Sequence, residues 1–488
     1  MGTTNQTNNR KRPSKAQIER RRRRRRRAIM LRAVSLGVLL LILVGAVWGV
    51  TAGIKRSGAK RNAKKAEQEA QIRKEEEALE NRKNAIAKAD LLAQGYDYDG
   101  AIELIESLGD YESDAELVNI VASYIAAKST LVTVDVTNIS HIFFQSLIVD
   151  TEQAFDVQTL GQSTVSTLNA GMTTVEEFKS ILQELYDNGY VFVRMRDLVI
   201  ETEDEEGNIT YKKNTSLKLP PEKKAIILSI DDLSYYHSYE NAGFAEKLVL
   251  DEHGDVKCQY TDSQGNTTIG DYDVVPIMEA FLEEHPDAAY KGARGMIALT
   301  GYNGVFGYRT DTAYKTGENL TADQQKWLKE HPDFDWDKEV KEAKKIAEAL
   351  KADGWEFASH TWGHINVSGK DVSALKTDHE KWKDTVGNIV GEIDTIVFGQ
   401  GADIGNWKDY SSENAQYAYY KSEGINFFCN IDSTQKAWIQ IRENYVRQGR
   451  ISLGGSTLYK ALQGQTDVLE DMFNIRDVYD STRPATVG

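Results

Sequence analysis

Two short stretches carry the residue types that could hold a metal ion and move a proton. His360 and His364 lie four residues apart at the end of Trp355-Glu356-Phe357-Ala358-Ser359-His360-Thr361-Trp362-Gly363-His364. On a loop or first helical turn that spacing puts both imidazoles on one side. Imidazole nitrogen suits zinc and similar divalent ions, and two histidines need at least one further ligand. The best third ligand lies far upstream, where the apolar run Ile226-Ile227-Leu228-Ser229-Ile230 empties into Asp231 and Asp232. Asp232, His360 and His364 would then share an ion with positions left open. Asp231, free of the ion, would act as general base on the water that such an ion activates. The chemistry is hydrolysis of an amide or ester. Each half alone has an ordinary reading, since paired aspartates often cap a turn and histidines often pack. What marks them as a site is that both stand at strand ends and complement each other in ligand type.

The elements that must position them alternate strand and helix from residue 131 onward. Strand patterns at 132–136 and 139–144 are followed by a helix from Thr174, where Thr174 and Glu177 form a capping box and Phe178, Ile181, Leu182 and Leu185 make an inner face. A strand at 190–193, a hairpin over 200–219 and the aspartate strand at 225–230 come next. A hairpin-like insert at 248–275 and a helix at 276–284 lead to a strand at 295–299 and a Gly- and Tyr-rich loop at 300–310. An amphipathic helix at 336–351 stops at Asp353-Gly354, ahead of the histidine strand. A helix at 374–386, a strand at 395–398 and two further pairs, 414–422 with 427–431 and 434–445 with 450–453, complete the pattern. Repeated strand–helix units predict an α/β fold with a parallel sheet, open or closed into a barrel. In such folds chemistry sits at the C-terminal strand ends.

The remainder of the chain is organised differently. It has 488 residues and a formal charge of −15, too long for one core. Residues 1–32 hold thirteen Lys/Arg against the single acid Glu19, which leaves 46 basic and 73 acidic residues in the rest. So acidic a body excludes the basic patches that nucleic-acid binding needs. Residues 33–54 carry no charge and are long enough to span a bilayer, with the arginine run 20–27 just before them. They predict a single-pass transmembrane helix, a cytoplasmic basic arm at 1–32 and a body outside the cell. Residues 55–83 read as a charged helical linker. Residues 84–130 read as a small tetratricopeptide-like helical module, a spacer or a docking site for a protein partner. The only two cysteines, Cys258 and Cys429, could form a disulfide or stay as buried thiols.

Ser229-Ile230-Asp231-Asp232 resembles the Thr/Ser-Phe-Asp-Asp motif of polysaccharide deacetylases, the NodB-homology group of carbohydrate esterases. Ser359-His360-Thr361-Trp362-Gly363-His364 is similar to that family's Ser-His-Thr/Ser-x-x-His motif. The likeness spans residues 131–488 and includes a bacterial, membrane-anchored subgroup with an Asp-Asp-Leu-x-Tyr-Tyr pattern. It implies a distorted (β/α) barrel of about seven strands. It further implies Asp231 as catalytic base and Asp232, His360 and His364 as ligands of a divalent metal, zinc first, with cobalt, nickel or manganese open. The family's third motif offers an arginine, whereas this chain has Phe398-Gly399-Gln400-Gly401-Ala402-Asp403; Arg309 could reach in to orient Asp231 instead. The family often takes its acid from a C-terminal histidine, and no histidine follows His379 here. Some members deliver it from the first strand, which gives the role to His141. The implied activity is deacetylation of an N-acetylglucosamine-containing cell-surface glycan, with Arg309, Tyr302, Trp362 and Trp407 as substrate contacts. An inactive glycan- or partner-binding relative and an ester deacetylase stay open.

Overall fold

In the computed structural model, which describes residues 57–109, 111–485 and 487, the strand–helix alternation closes on itself. Seven parallel strands form a barrel: β1 (Ser140–Phe144), β2 (Lys224–Asp231), β3 (Met296–Leu299), β4 (Glu356–Ser359), β5 (Thr395–Val397), β6 (Phe427–Ile431) and β7 (Tyr445–Ser452). Each pairs with the next in sequence, and β7 returns to β1. With both faces covered, such strands read as near-continuous apolar runs; β1 is buried throughout and β2 at every position but Lys224. One edge of β2 is shared. The short strand Tyr190–Phe192 takes its first residues and β3 its last.

Register explains how distant residues meet. Asp231 at the end of β2 stands opposite Ala298 of β3, and Ser359 at the end of β4 stands opposite Leu299. The C-terminal ends of β2 and β4 therefore flank the end of β3. Helices connect the strands. One helix, Val175–Asp187, starts with the capping box of Thr174 and Glu177. Another, Trp336–Asp353, starts at an Asp335 cap and stops at Gly354, whose φ of 103° suits glycine.

The 248–275 insert is three antiparallel strands joined by two turns: Lys247–Leu250, Val256–Thr261 and Thr267–Gly270. Within 434–445, Ile439–Arg442 pairs antiparallel with the start of β7, because Ile439 and Ile441 alternate with polar neighbours at strand period.

The chain divides into two compact units. One contains residues 57–128 and 282–286, and the other residues 129–281 and 287–488. The first carries helices Ser57–Gln94, Tyr98–Glu106 and Ala115–Ser129, packed around Ala89, Ala101, Ile105, Leu117, Val121 and Tyr124. Cys258 and Cys429 are separate buried thiols. The assignment to a membrane, with the body outside the cell, is corrected: among the described residues no helix is long and apolar enough to cross a bilayer. The longest, Ser57–Gln94, is built largely from Lys, Arg, Glu and Ala. The span expected at 33–54 and the basic arm at 1–32 lie outside the described residues.

Candidate metal centre

The ends of β2 and β4 bring Asp232, His360 and His364 together, with one ligand atom of each inside 4.8 Å of the others. Asp232 Oδ2 lies 3.9 Å from Nε2 of both His360 and His364. His360 Nδ1 donates to Val397 O at 2.8 Å, a bond that fixes the tautomer and turns the Nε2 lone pair to the site. Asp232 Oδ1 accepts from the Tyr236 hydroxyl at 2.5 Å, while Oδ2 is the oxygen that faces both imidazoles. Burial holds the His364 imidazole below its ordinary pKa, which keeps its lone pair available, although the Asp232 charge opposes the shift. Two neutral imidazole nitrogens and one carboxylate oxygen fit a divalent ion of the zinc class.

The backbone is bent to present these groups. Asp232, Thr361 and His364 all adopt the left-handed region, at φ of 58°, 63° and 49°. For a β-branched threonine this is a real outlier, costing on the order of 1–3 kcal/mol. Local bonds hold it. Thr361 N donates to Ser359 Oγ at 3.1 Å, and Thr361 Oγ1 accepts from Ile365 N at 2.9 Å. The buried Asp378 carboxylate then accepts from the amides of Trp362, at 2.7 Å, and Gly363, at 2.9 Å. Gly399 backs the turn, where an added Cβ would stand 3.0 Å from Ile365 O and 3.4 Å from His364 Cδ2.

Beside the triad, Asp231 is clamped from β7, the strand on the other side of β1. Arg450 of β7 donates from Nη1 to Oδ1 at 2.7 Å and from Nη2 to Oδ2 at 2.9 Å. Burial pushes the Asp231 carboxyl up, but the Arg450 guanidinium, with His360 and His364, outweighs it and holds the group below the usual carboxylate range. Arg450 Nη1 also donates to Ser229 Oγ at 3.0 Å. Ser229 Oγ is 2.9 Å from His141 Nε2, and His141 Nδ1 is 3.0 Å from Gln448 Oε1. Gln448 spends its amide on Ile139 O, so its oxygen accepts. Hydrogen bonding thus assigns the His141 proton to Nδ1, with Nε2 accepting from Ser229. His141 is 1% exposed, and burial together with the Arg450 charge pushes its pKa down to about 3. It stands as a neutral, fully engaged imidazole with no nitrogen left for a leaving group.

The other residues singled out in the sequence are dispersed around this centre. Arg309 does not orient Asp231; it donates to Tyr235 O at 2.9 Å and to Glu240 Oε1 at 3.3 Å. Tyr302 stacks on Tyr236, with centroids 5.0 Å apart. Trp362 meets the Tyr302 edge and donates from Nε1 to Asp311 Oδ2. Trp407 is 42% exposed and packs edge-on against Trp438. Sequence reasoning missed Arg450, Asp378 and Tyr236. Arg450 had a signal: an arginine inside a strand that must be buried needs a buried acid.

No family model matches the chain, and none of the curated proteins matches it. Among solved structures it is similar to the Streptococcus pyogenes deacetylase PplD in complex with acetate. The identity is 13%, the match covers 67% of this chain and 96% of that one, and the TM-score is 0.33.

Proposed function

We propose that this chain is a metal-dependent hydrolase that removes acetyl groups from an N-acetylated polysaccharide built on N-acetylglucosamine. The observation that carries the reading is the grouping of Asp232, His360 and His364 beside an Asp231 that Arg450 keeps ionised. The resemblance of the two motifs to polysaccharide deacetylases points the same way. A zinc-class ion held by those three residues would supply a water of lowered pKa and polarise the acetyl carbonyl. The residues of the chain do the rest. Asp231 takes the proton from the attacking water. As the amide C–N bond breaks, the same carboxyl returns that proton to the leaving nitrogen, so acetate and a free amine result. With both His141 nitrogens engaged, Asp231 carries both transfers, and His141 acts as a positioning residue through Ser229 and Arg450. Tyr302 and Trp362 wall the site and contact the sugar.

The test is acetate release from N-acetylglucosamine polymers by purified protein, with zinc supplied. The expected result is release by the wild type and none by Asp231→Asn. A wild type that binds no divalent ion and frees no acetate would overturn it. A second reading, glycan binding without turnover, is favoured by one observation: His141, the expected acid, has both ring nitrogens engaged. Under that reading Asp231→Asn leaves glycan binding intact and there is no activity to lose.

A further inference from the structure

A cavity of about 630 Å³ opens among residues 235–247, which follow β2, and residues 327–339, from the end of one helix to the start of the next in the β3–β4 connection. No step of the proposed reaction uses it. It adjoins the triad through Tyr236, whose ring lines the cavity and whose hydroxyl donates to Asp232. From there aromatic rings continue inward: Tyr236 meets Tyr239 at 5.6 Å, and Tyr239 stacks on Phe244 at 4.6 Å. Phe334 also lines the cavity. Aromatic walls with convergent polar groups are the general chemistry of a site for a ring that is apolar on its faces and polar at its rim.

The polar groups have a sign. Six carboxylates line the cavity against three side-chain cations. One of the cations, Arg309, is 4% exposed and already holds Tyr235 O and Glu240. That leaves an excess of carboxylates, which an ammonium group can satisfy.

We infer that this cavity is a saccharide subsite that takes a pyranose unit bearing a free amino group in preference to a neutral one. The inference rests on the polysaccharide reading above and deepens it: the unit recognised is chemically the product of the proposed reaction. Binding there would seat the next acetylated unit of the same chain towards the triad.

The test uses oligomers that carry no acetyl group, so turnover cannot interfere. A β-1,4-linked glucosamine tetramer and the matching glucose tetramer are titrated into the full-length protein by calorimetry near neutral pH. The glucosamine tetramer should bind at least tenfold more tightly. The double substitution Glu330→Gln/Asp333→Asn removes two exposed lining charges without touching the core and should erase most of that preference. Phe334→Ala should weaken both ligands. Binding of neither tetramer, or a preference unchanged by the double substitution, would overturn the inference. Acetate release by the wild type, measured alongside, reports on the triad alone, so the two readings fail separately.

Discussion

Arg450 decides what Asp231 can be. A carboxylate buried in a barrel would ordinarily take up a proton, and two parallel guanidinium bonds prevent it. Lysine keeps the charge but offers a point rather than a fork. Arg450→Lys should therefore lower acetate release by about 100-fold, the low end of what a positioned base contributes, while bound metal, measured by elemental analysis, stays near one equivalent. Loss of metal in that variant would mean that Arg450 supports the triad rather than the base. His141 allows a second prediction. In the fold it stays neutral down to about pH 3, whereas an unfolded imidazole titrates near 6.5. Between those values the unfolded chain binds one proton more, so stability is full above about pH 6.5 and falls as the pH drops through the window. One proton corresponds to a slope of about 1.4 kcal/mol per pH unit. His141→Gln should flatten the pH dependence of urea unfolding between pH 4 and 6 by roughly that amount. Equal slopes in the two proteins would mean that His141 charges within the fold and is available as an acid after all.

The element that makes the metal centre is the turn between His360 and His364, and it is held from outside. Asp378 accepts from two of its amides, and Gly399 lets the β5 end approach His364 closely. Removing such an outer partner typically costs 10- to 100-fold in metal affinity. Asp378→Ala should weaken zinc binding to that extent in a competition titration with a chelating dye, with the barrel still folded by circular dichroism; undiminished affinity would show that the strained turn keeps its shape unaided. Strand–helix periodicity made β2, β4 and the capping box at Thr174 legible in the sequence, because apolar runs, a cap and a stop glycine are local signals. His-x-x-x-His was legible for the same reason. Asp378 and Arg450 were not, since their partners lie 15–16 and 219 residues away and only the closed barrel brings them close. Arg309 was misplaced for the complementary reason: sequence showed that an arginine was missing from its usual motif, but not that β7 supplies one from beyond β1. Within 434–445 the strand Ile439–Arg442 forms because a free edge of β7 is there to be paired.

A barrel must join its last strand to its first, and here that seam is thin. β7 meets β1 over two register pairs only, Ile451 with Ile142 and Ser452 with Phe143. The chain end reinforces it. Arg483 is buried and donates to Glu177 Oε1 at 2.7 Å and Oε2 at 2.6 Å, and further to Asn169 Oδ1 and Met172 O. Glu177, fully buried, belongs to the capping box of the helix that follows β1. Asp480 adds bonds to Thr174 and Glu177. The strap after β7 is thus tied to the start of the first barrel helix across some 300 residues of chain. Breaking a buried pair by removing one partner strands the other charge and costs about 3–5 kcal/mol. Arg483→Met should lower the free energy of unfolding by that amount and raise hydrogen exchange in β1, next to the seam. Adding Glu177→Gln removes the stranded charge, so the double variant should recover part of the loss rather than sum the two effects. If Arg483→Met unfolds like the wild type, the seam is closed by packing around Leu453 and Met172 instead, and the polar clasp is incidental.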